Sequence, residues 1–219
     1  MRREIGLAAV LGVLLSLGGC GGGGDDGPPQ IVTQILSDPG FDGDIELTAD
    51  GSYVITQGMS PTVQSVFAGF DPTSGTEFRT FLDFPLTGSG GVPANAIVDS
   101  AFLEIFVDEL VPPNGSLPLR VELVSFQPPN LIGTDFDRSV QPPLAAVSVP
   151  GDVTNADVGH FIPVDVTSLM IRAQQLGLVD FQVRIMEDLG PAIYTLMVID
   201  DTTGAHRAEQ APLLTVTYH

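Results

Sequence analysis

The sequence predicts an all-β protein, an antiparallel β-sandwich of two sheets with jelly-roll topology and one short helix. Most apolar stretches are short and alternate with polar residues, which is typical of strands that bury one face. Turn-forming residues separate these stretches, since the chain contains 25 glycines and 18 prolines. Long loops and an isolated helix favour a jelly roll over an immunoglobulin-like sandwich.

About eight to ten short strands are expected, as in other sandwiches of this size. The clearest alternation lies at 97–107, where Ala101, Leu103, Ile105 and Val107 share one face. The eight to ten strands are expected among the stretches 31–36, 45–48, 53–56, 63–70, 78–85, 97–107, 119–126, 145–149, 161–166, 179–185, 194–199 and 213–218.

Three of these strands place charged residues opposite their apolar face. These residues are Glu104 and Asp108 for the strand 97–107, Arg120 and Glu122 for 119–126, and Asp180 and Arg184 for 179–185. Period-two alternation of this kind predicts half-buried strands.

Local signals mark one hairpin and one helix. Asp50-Gly51 lies between two apolar runs and predicts a hairpin, because its tight turn needs positive φ. Thr167 can cap a helix that Gly177 ends. The apolar stripe of that helix consists of Leu169, Ala173 and Leu176.

The N-terminus has the pattern of an export signal. Basic Arg2 and Arg3 precede the apolar run 5–17, which is too short to span a bilayer as a helix but suits a signal peptide. Leu17-Gly18-Gly19-Cys20 resembles the bacterial lipobox, and this resemblance implies lipidation of Cys20 and cleavage before it. Cys20 is also the only cysteine, so no disulfide can form within the chain.

This pattern divides the chain into a signal peptide at 1–19, a lipidated tether at 20–30 and a β-sandwich domain at 31–219. Glycines 21–24 favour a flexible coil, which Pro28 and Pro29 stiffen at its far end. The expected location is the bacterial cell envelope. Gly21 stands where an inner-membrane retention signal would place aspartate, which favours the outer membrane.

The charge of the domain limits its partners. Removal of residues 1–19 leaves six arginines, no lysine and 26 acidic residues, a net charge of −20. Such a charge repels nucleic acid, so we expect none as a partner.

A calcium site is one reading of the acidic turns. Asp38, Asp42 and Asp44 lie close together in sequence, and Asp200 begins a second acidic stretch. Calcium prefers six to eight oxygen ligands, which such residues and turn carbonyls can supply. The alternative reading is that aspartate and glycine simply form turns there. No cofactor is required by any motif.

Catalytic motifs are not evident. The sequence lacks Gly-x-Ser-x-Gly, and its three histidines form no closely spaced pair. Abundant carboxylates leave a polysaccharide hydrolase as an alternative function. Sugar-binding surfaces stack aromatic rings on sugars, and the tyrosines available for this are Tyr53, Tyr194 and Tyr218.

Four stretches in order resemble a known family. They are FRTFLDFPL at 78–86, IVDSAFLEI at 97–105, VDVTSL at 164–169 and RAEQAPLLTVTY at 207–218. Their order is similar to that in DNRLRE-type domains, which are exported modules akin to some carbohydrate-binding modules. The resemblance implies a jelly roll and a non-catalytic role, and some relatives bind polysaccharides such as alginate.

We therefore expect a lipid-anchored envelope module with a structural or binding role. Its expected partners are the membrane, through the lipid on Cys20, and either surface polysaccharide or another envelope protein. A carbohydrate-binding module, with or without calcium, is the main alternative.

Replacing Cys20 with alanine should abolish lipidation. The expected result is loss of the lipid mass in intact-protein mass spectrometry and release of the protein from the membrane fraction, because acyl chains supply the anchor. A Cys20→Ala protein that stays in washed membranes would contradict the predicted anchor.

Overall fold

The computed structural model describes residues 28–58, 64–126, 130–188 and 194–219, which contain twelve strands and three short helices. The strands are β1 (Ile31–Leu36), β2 (Gly43–Leu47), β3 (Tyr53–Gln57), β4 (Ser65–Phe70), β5 (Glu77–Pro85), β6 (Val98–Val111), β7 (Ser116–Val124), β8 (Ala145–Thr154), β9 (Phe161–Asp165), β10 (Asp180–Glu187), β11 (Leu196–Asp200) and β12 (Leu213–Tyr218). The helices are α1 (Gly133–Phe136), α2 (Thr167–Leu176) and α3 (Arg207–Gln210).

All strand pairs are antiparallel and follow the order β1-β12-β6-β11-β4-β5-β10-β7-β8. The hairpin β2–β3 pairs with β5 through β2, and β9 pairs with β6. The 14-residue strand β6 belongs to both halves, because its first part pairs with β12 and β9 and its last part with β11. The predicted all-β antiparallel sandwich is confirmed, with its two halves joined through β6 into one curled sheet.

The main core fills the space between the two halves. Ala101, Leu103, Ile105 and Val107 of β6 are all fully buried in it, as their alternation predicts. The inward residues of β5, β7, β10 and β12 join them, together with Leu169 and other residues of α2. Burial of apolar side chains on this scale is the main favourable term in folding.

A second, smaller core lies on the opposite face of β5 and β7. It is completed by segment 130–141, which contains α1 and covers this face of the sheet. The members are Ile45, Phe81, Val124, Phe126, Leu131 and Phe136. Glu122 and Arg184 lie on the covered face and are fully buried, so the expectation of half-buried strands is wrong here.

The helices also differ from the expected single one. The additional helices α1 and α3 are one turn each and lie in stretches without an apolar period. Thr167 begins α2 but does not cap it, because its hydroxyl accepts the Ala101 amide, while Asp165 accepts the Thr167 amide. Gly177 ends α2 in the left-handed conformation as predicted.

The Asp50-Gly51 hairpin is confirmed as the turn between β2 and β3, with φ of Gly51 at +84°. Cys20 and the signal 1–19 lie outside the described residues, as does most of the tether 20–30. No helix in the described ranges has the length and apolar character needed to cross a membrane.

Arg184→Met should destabilise the fold by roughly 3–5 kcal/mol, the usual cost of breaking a buried ion pair. The arginine is fully buried and donates to Glu122 and to the carbonyls of Asp135 and Gln141. Urea unfolding measures the change, with the exposed Arg172→Met as matched control. Equal stability of the two variants would contradict this role.

Candidate functional site

The site that the structure offers is a groove of about 310 Å³ above the second core, which we call the Tyr53 groove. It is formed by the β2–β3 hairpin, the start of β5 and the end of α1. Its lining consists of Leu47, Tyr53, Glu77, Arg79, Phe136, Asp137 and Arg138.

The hairpin turn positions the tyrosine. Asp50 accepts hydrogen bonds from the Thr48 hydroxyl at 2.6 Å and from the Ser52 amide at 3.0 Å, which fixes the turn just before β3. Tyr53 then begins β3 opposite Leu47, with 41% of its surface exposed.

Close packing holds the tyrosine ring. The ring centroid of Tyr53 lies 5.5 Å from that of Phe136 at an angle of 49°. A Cβ added at Gly133 would lie only 2.6 Å from Cδ2 of Tyr53, so only glycine lets α1 approach this closely. The ring is therefore held by packing, while 41% of the surface of Tyr53 stays exposed at the groove.

Arg79 organises the floor of the groove. Its Nε donates to Oε1 of Glu77 at 2.7 Å, and its Nη1 donates to the Phe136 carbonyl. The guanidinium carbon also lies 3.9 Å above the Phe136 ring, which is a cation–π contact. Arg79 belongs to β5 and Phe136 is the last residue of α1, so these two contacts hold α1 against β5.

Arg138 and Asp137 supply the polar rim. The side chain of Arg138 is 43% exposed and uses Nη2 to bind Oε1 of Glu122 at 2.8 Å. Asp137 accepts the hydroxyl and the amide of Ser139, and these hydrogen bonds lower the pKa of Asp137, which is therefore ionised at neutral pH. The rim thus presents both donors and acceptors around the exposed ring.

A buried network beneath the groove holds Arg138 in place. Glu122 binds Arg184 at 2.6 Å, Arg120 at 2.8 Å and Arg138 at 2.8 Å. Burial raises the pKa of Glu122, but hydrogen bonds from Arg184 and Arg120 outweigh it and hold the pKa below its ordinary value. The carboxylate stays ionised and anchors three guanidinium groups.

The predicted calcium residues lie apart from this groove. Asp38 accepts the Gly40 amide and Asp200 accepts the Thr202 amide, which are the turn-forming contacts of the alternative reading. Asp44 is buried in β2. Within the described ranges, no three histidine, cysteine, aspartate or glutamate side chains are grouped to hold a metal ion, and calcium stays a prediction.

Asp42 instead lies near Asp201, which acts on it electrostatically, and Oδ2 of Asp42 has no hydrogen-bond partner among the described residues. Burial raises the pKa of Asp42 well above its ordinary value, and the neighbouring Asp201 raises it further. Oδ1 of Asp42 accepts the Asp83 amide at 2.8 Å, while Arg207 donates to Oδ1 of Asp201 at 3.1 Å. This buried pair joins the loop before β2 to the loop before α3.

The groove was only partly foreseen from sequence. Tyr53 stands among the aromatic candidates, and its position directly after the Asp-Gly turn is a usable signal. Phe136 and Arg138 come from a stretch whose apolar residues show neither strand nor helix periodicity, so nothing local indicates that they lie beside Tyr53. Comparison of the chain with protein-family models and with curated proteins gave no match, so the groove itself carries the functional argument.

Three further carboxyl groups have pKa values raised to about 6 or 7, because burial disfavours their charge. The pKa of Asp83 is raised to about 6 and that of Asp44 to about 7. Burial, together with Glu77, raises the pKa of Glu187 to about 7. Glu187 is 2% exposed, and neither of its carboxyl oxygens has a hydrogen-bond partner.

Glu187→Gln should therefore stabilise the protein at high pH. The folded state holds the Glu187 proton at pH values where the unfolded state has released it, so stability falls as pH rises from about 4.5 through 7. We expect a gain of roughly 1–3 kcal/mol at pH 8 and little change at pH 5. Thermal unfolding at both pH values tests this against the exposed Glu109→Gln. A gain of the same size at both pH values would show that charge is not the cause.

Proposed function

We propose that this chain is a lipid-anchored, non-catalytic module of the bacterial cell envelope that binds polysaccharide in the Tyr53 groove. The observation that carries the proposal is the partly exposed Tyr53, which packs on Phe136 and Gly133 and lines the groove together with Arg138 and Asp137. The outer membrane is the proposed location, from the lipobox-like sequence at Cys20.

The groove has the two elements that sugar recognition uses. An aromatic ring stacks on the apolar face of a sugar, and planar polar groups hydrogen-bond to its hydroxyls. Because packing fixes the ring and Glu122 fixes Arg138, both are ordered before a ligand arrives. Binding then costs less conformational entropy than it would with mobile side chains.

A non-catalytic role is favoured by the placement of the carboxyl groups. The buried carboxyl groups with raised pKa values include Asp42, Asp44, Asp83, Asp135 and Glu187, and none of these five lines the groove, although Asp135 belongs to α1 beside it. The carboxylates that do line it are Glu77, which is bound to Arg79, and Asp137, which is bound to Ser139. Both carboxylates are already engaged by residues that shape the groove, so they are better placed to hold a ligand than to transfer a proton.

Tyr53→Ala should weaken polysaccharide binding at least tenfold, which corresponds to about 1.4 kcal/mol. A glycan array and pull-down with insoluble polysaccharides identify the ligand, with calcium and chelator arms to test metal assistance. Tyr53→Phe should keep binding, because the ring remains. Tyr194→Ala is the matched control, since Tyr194 is also exposed but packs on Phe70 outside the groove.

Two results would reject parts of this proposal. Retention on no glycan at all would reject polysaccharide as the ligand. Unchanged binding by Tyr53→Ala, with a ligand in hand, would reject the groove as the site.

A further inference from the structure

The chain enters the described fold at one end of the sandwich. Ile31 begins β1 opposite Tyr218, and the backbone of Ile97 exchanges two hydrogen bonds with that of His219. Gln30, just before β1, donates to Asp99 at 3.2 Å. The start of β1, the end of β12 and the start of β6 therefore lie together, at what we call the entry end.

Two segments form the surface of the entry end. Segment 86–97 leads from β5 to β6, and segment 173–179 comprises the last four residues of α2 and the connection to β10. Gln174 donates to the carbonyls of Pro93 and Ala96, and the two segments enclose a cavity of about 350 Å³. The hydroxyl of Thr33 in β1 donates to the Gly90 carbonyl at 2.6 Å, so β1 is attached to the same surface.

The chemistry of this surface differs from that of the whole chain. Neither 86–97 nor 173–179 contains an ionisable side chain, although the chain has 27 acidic residues. Large apolar side chains are instead exposed: Ile97 at 61% and Val179 at 60%, with Leu176 also exposed. The nearest acid to Ile97 in sequence is Asp99, which contacts Gln30 and His219.

We propose that the entry end rests on the lipid bilayer, with Ile97, Leu176 and Val179 in the headgroup region. This inference rests on the proposed lipid anchor at Cys20. Residues 20–27 connect that anchor to this end, so the two segments without ionisable side chains lie on the surface nearest the bilayer, with Asp99, Asp180 and His219 beside them. Apolar side chains gain by burial at the boundary of headgroups and acyl chains, whereas an acidic surface is repelled by anionic lipids.

Contact at the entry end also orients the Tyr53 groove. At the groove, Leu47 pairs with Tyr53 and with Glu77, the first residue of β5. At the entry end, Pro85, the last residue of β5, pairs with Asp180. The eight residue steps from Glu77 to Pro85 span roughly 27 Å. The groove therefore lies at the end of β5 that is distant from the bilayer.

Site-specific labelling of the full lipidated protein tests this contact. Lipidation blocks the thiol of Cys20, the only native cysteine, so a single introduced cysteine is the only free thiol. Ile97→Cys and Val179→Cys report the entry end, and Val54→Cys, 49% exposed on β3, is the matched control. Each variant is labelled with an environment-sensitive fluorophore and reconstituted into phosphatidylcholine–phosphatidylglycerol vesicles that carry a headgroup nitroxide quencher.

We expect quenching at positions 97 and 179 to be at least twofold greater than at position 54. Equal quenching at all three positions, in protein that floats with the vesicles, would overturn the proposed contact and leave the anchor intact. Protein that does not float overturns both the anchor and the contact. Failure to bind any glycan overturns only the function of the groove.

Discussion

The buried guanidinium of Arg184 is the constraint on which the rest of the candidate site depends. Removing this charge from water is costly, and only complete hydrogen bonding offsets the cost. Glu122 and the carbonyls of Asp135 and Gln141 supply those hydrogen bonds, and the two carbonyls belong to segment 130–141. Satisfying Arg184 thus fixes this segment on β7 and β10, which places Phe136 beside Tyr53 and completes the groove.

The strand pattern and the local turns were predictable from sequence because their causes are local. Alternation in β6 identifies its buried face, since successive side chains point to opposite sides of a strand. Gly51 and Gly177 mark a turn and a helix end because both need positive φ, which glycine adopts without strain. These signals lie within a few residues of what they specify, and they give the fold class.

The covered face of the sheet was not predictable by the same reasoning. A period of two shows which side chains share a face, but not whether a distant segment covers that face. Glu122 has the sequence context of an exposed residue and is fully buried, because residues 130–141 pack over it. The electrostatic interaction of Asp42 with Asp201 was equally unpredictable, since 158 residues lie between them and neither acidic stretch indicates the other.

The position of β1 also determines how the fold bears a pulling force. All six residues of β1 pair with β12 at the edge of the sheet, and Ile31 lies at the entry end while the Tyr53 groove lies at the other. A force between residue 28 and the groove runs along β1 and acts on the six pairs together in shear. Opening the pairs one after another requires a force across the strand. The pairing of β1 with β12 thus resists a force between residue 28 and the Tyr53 groove better than it resists a force across the strand.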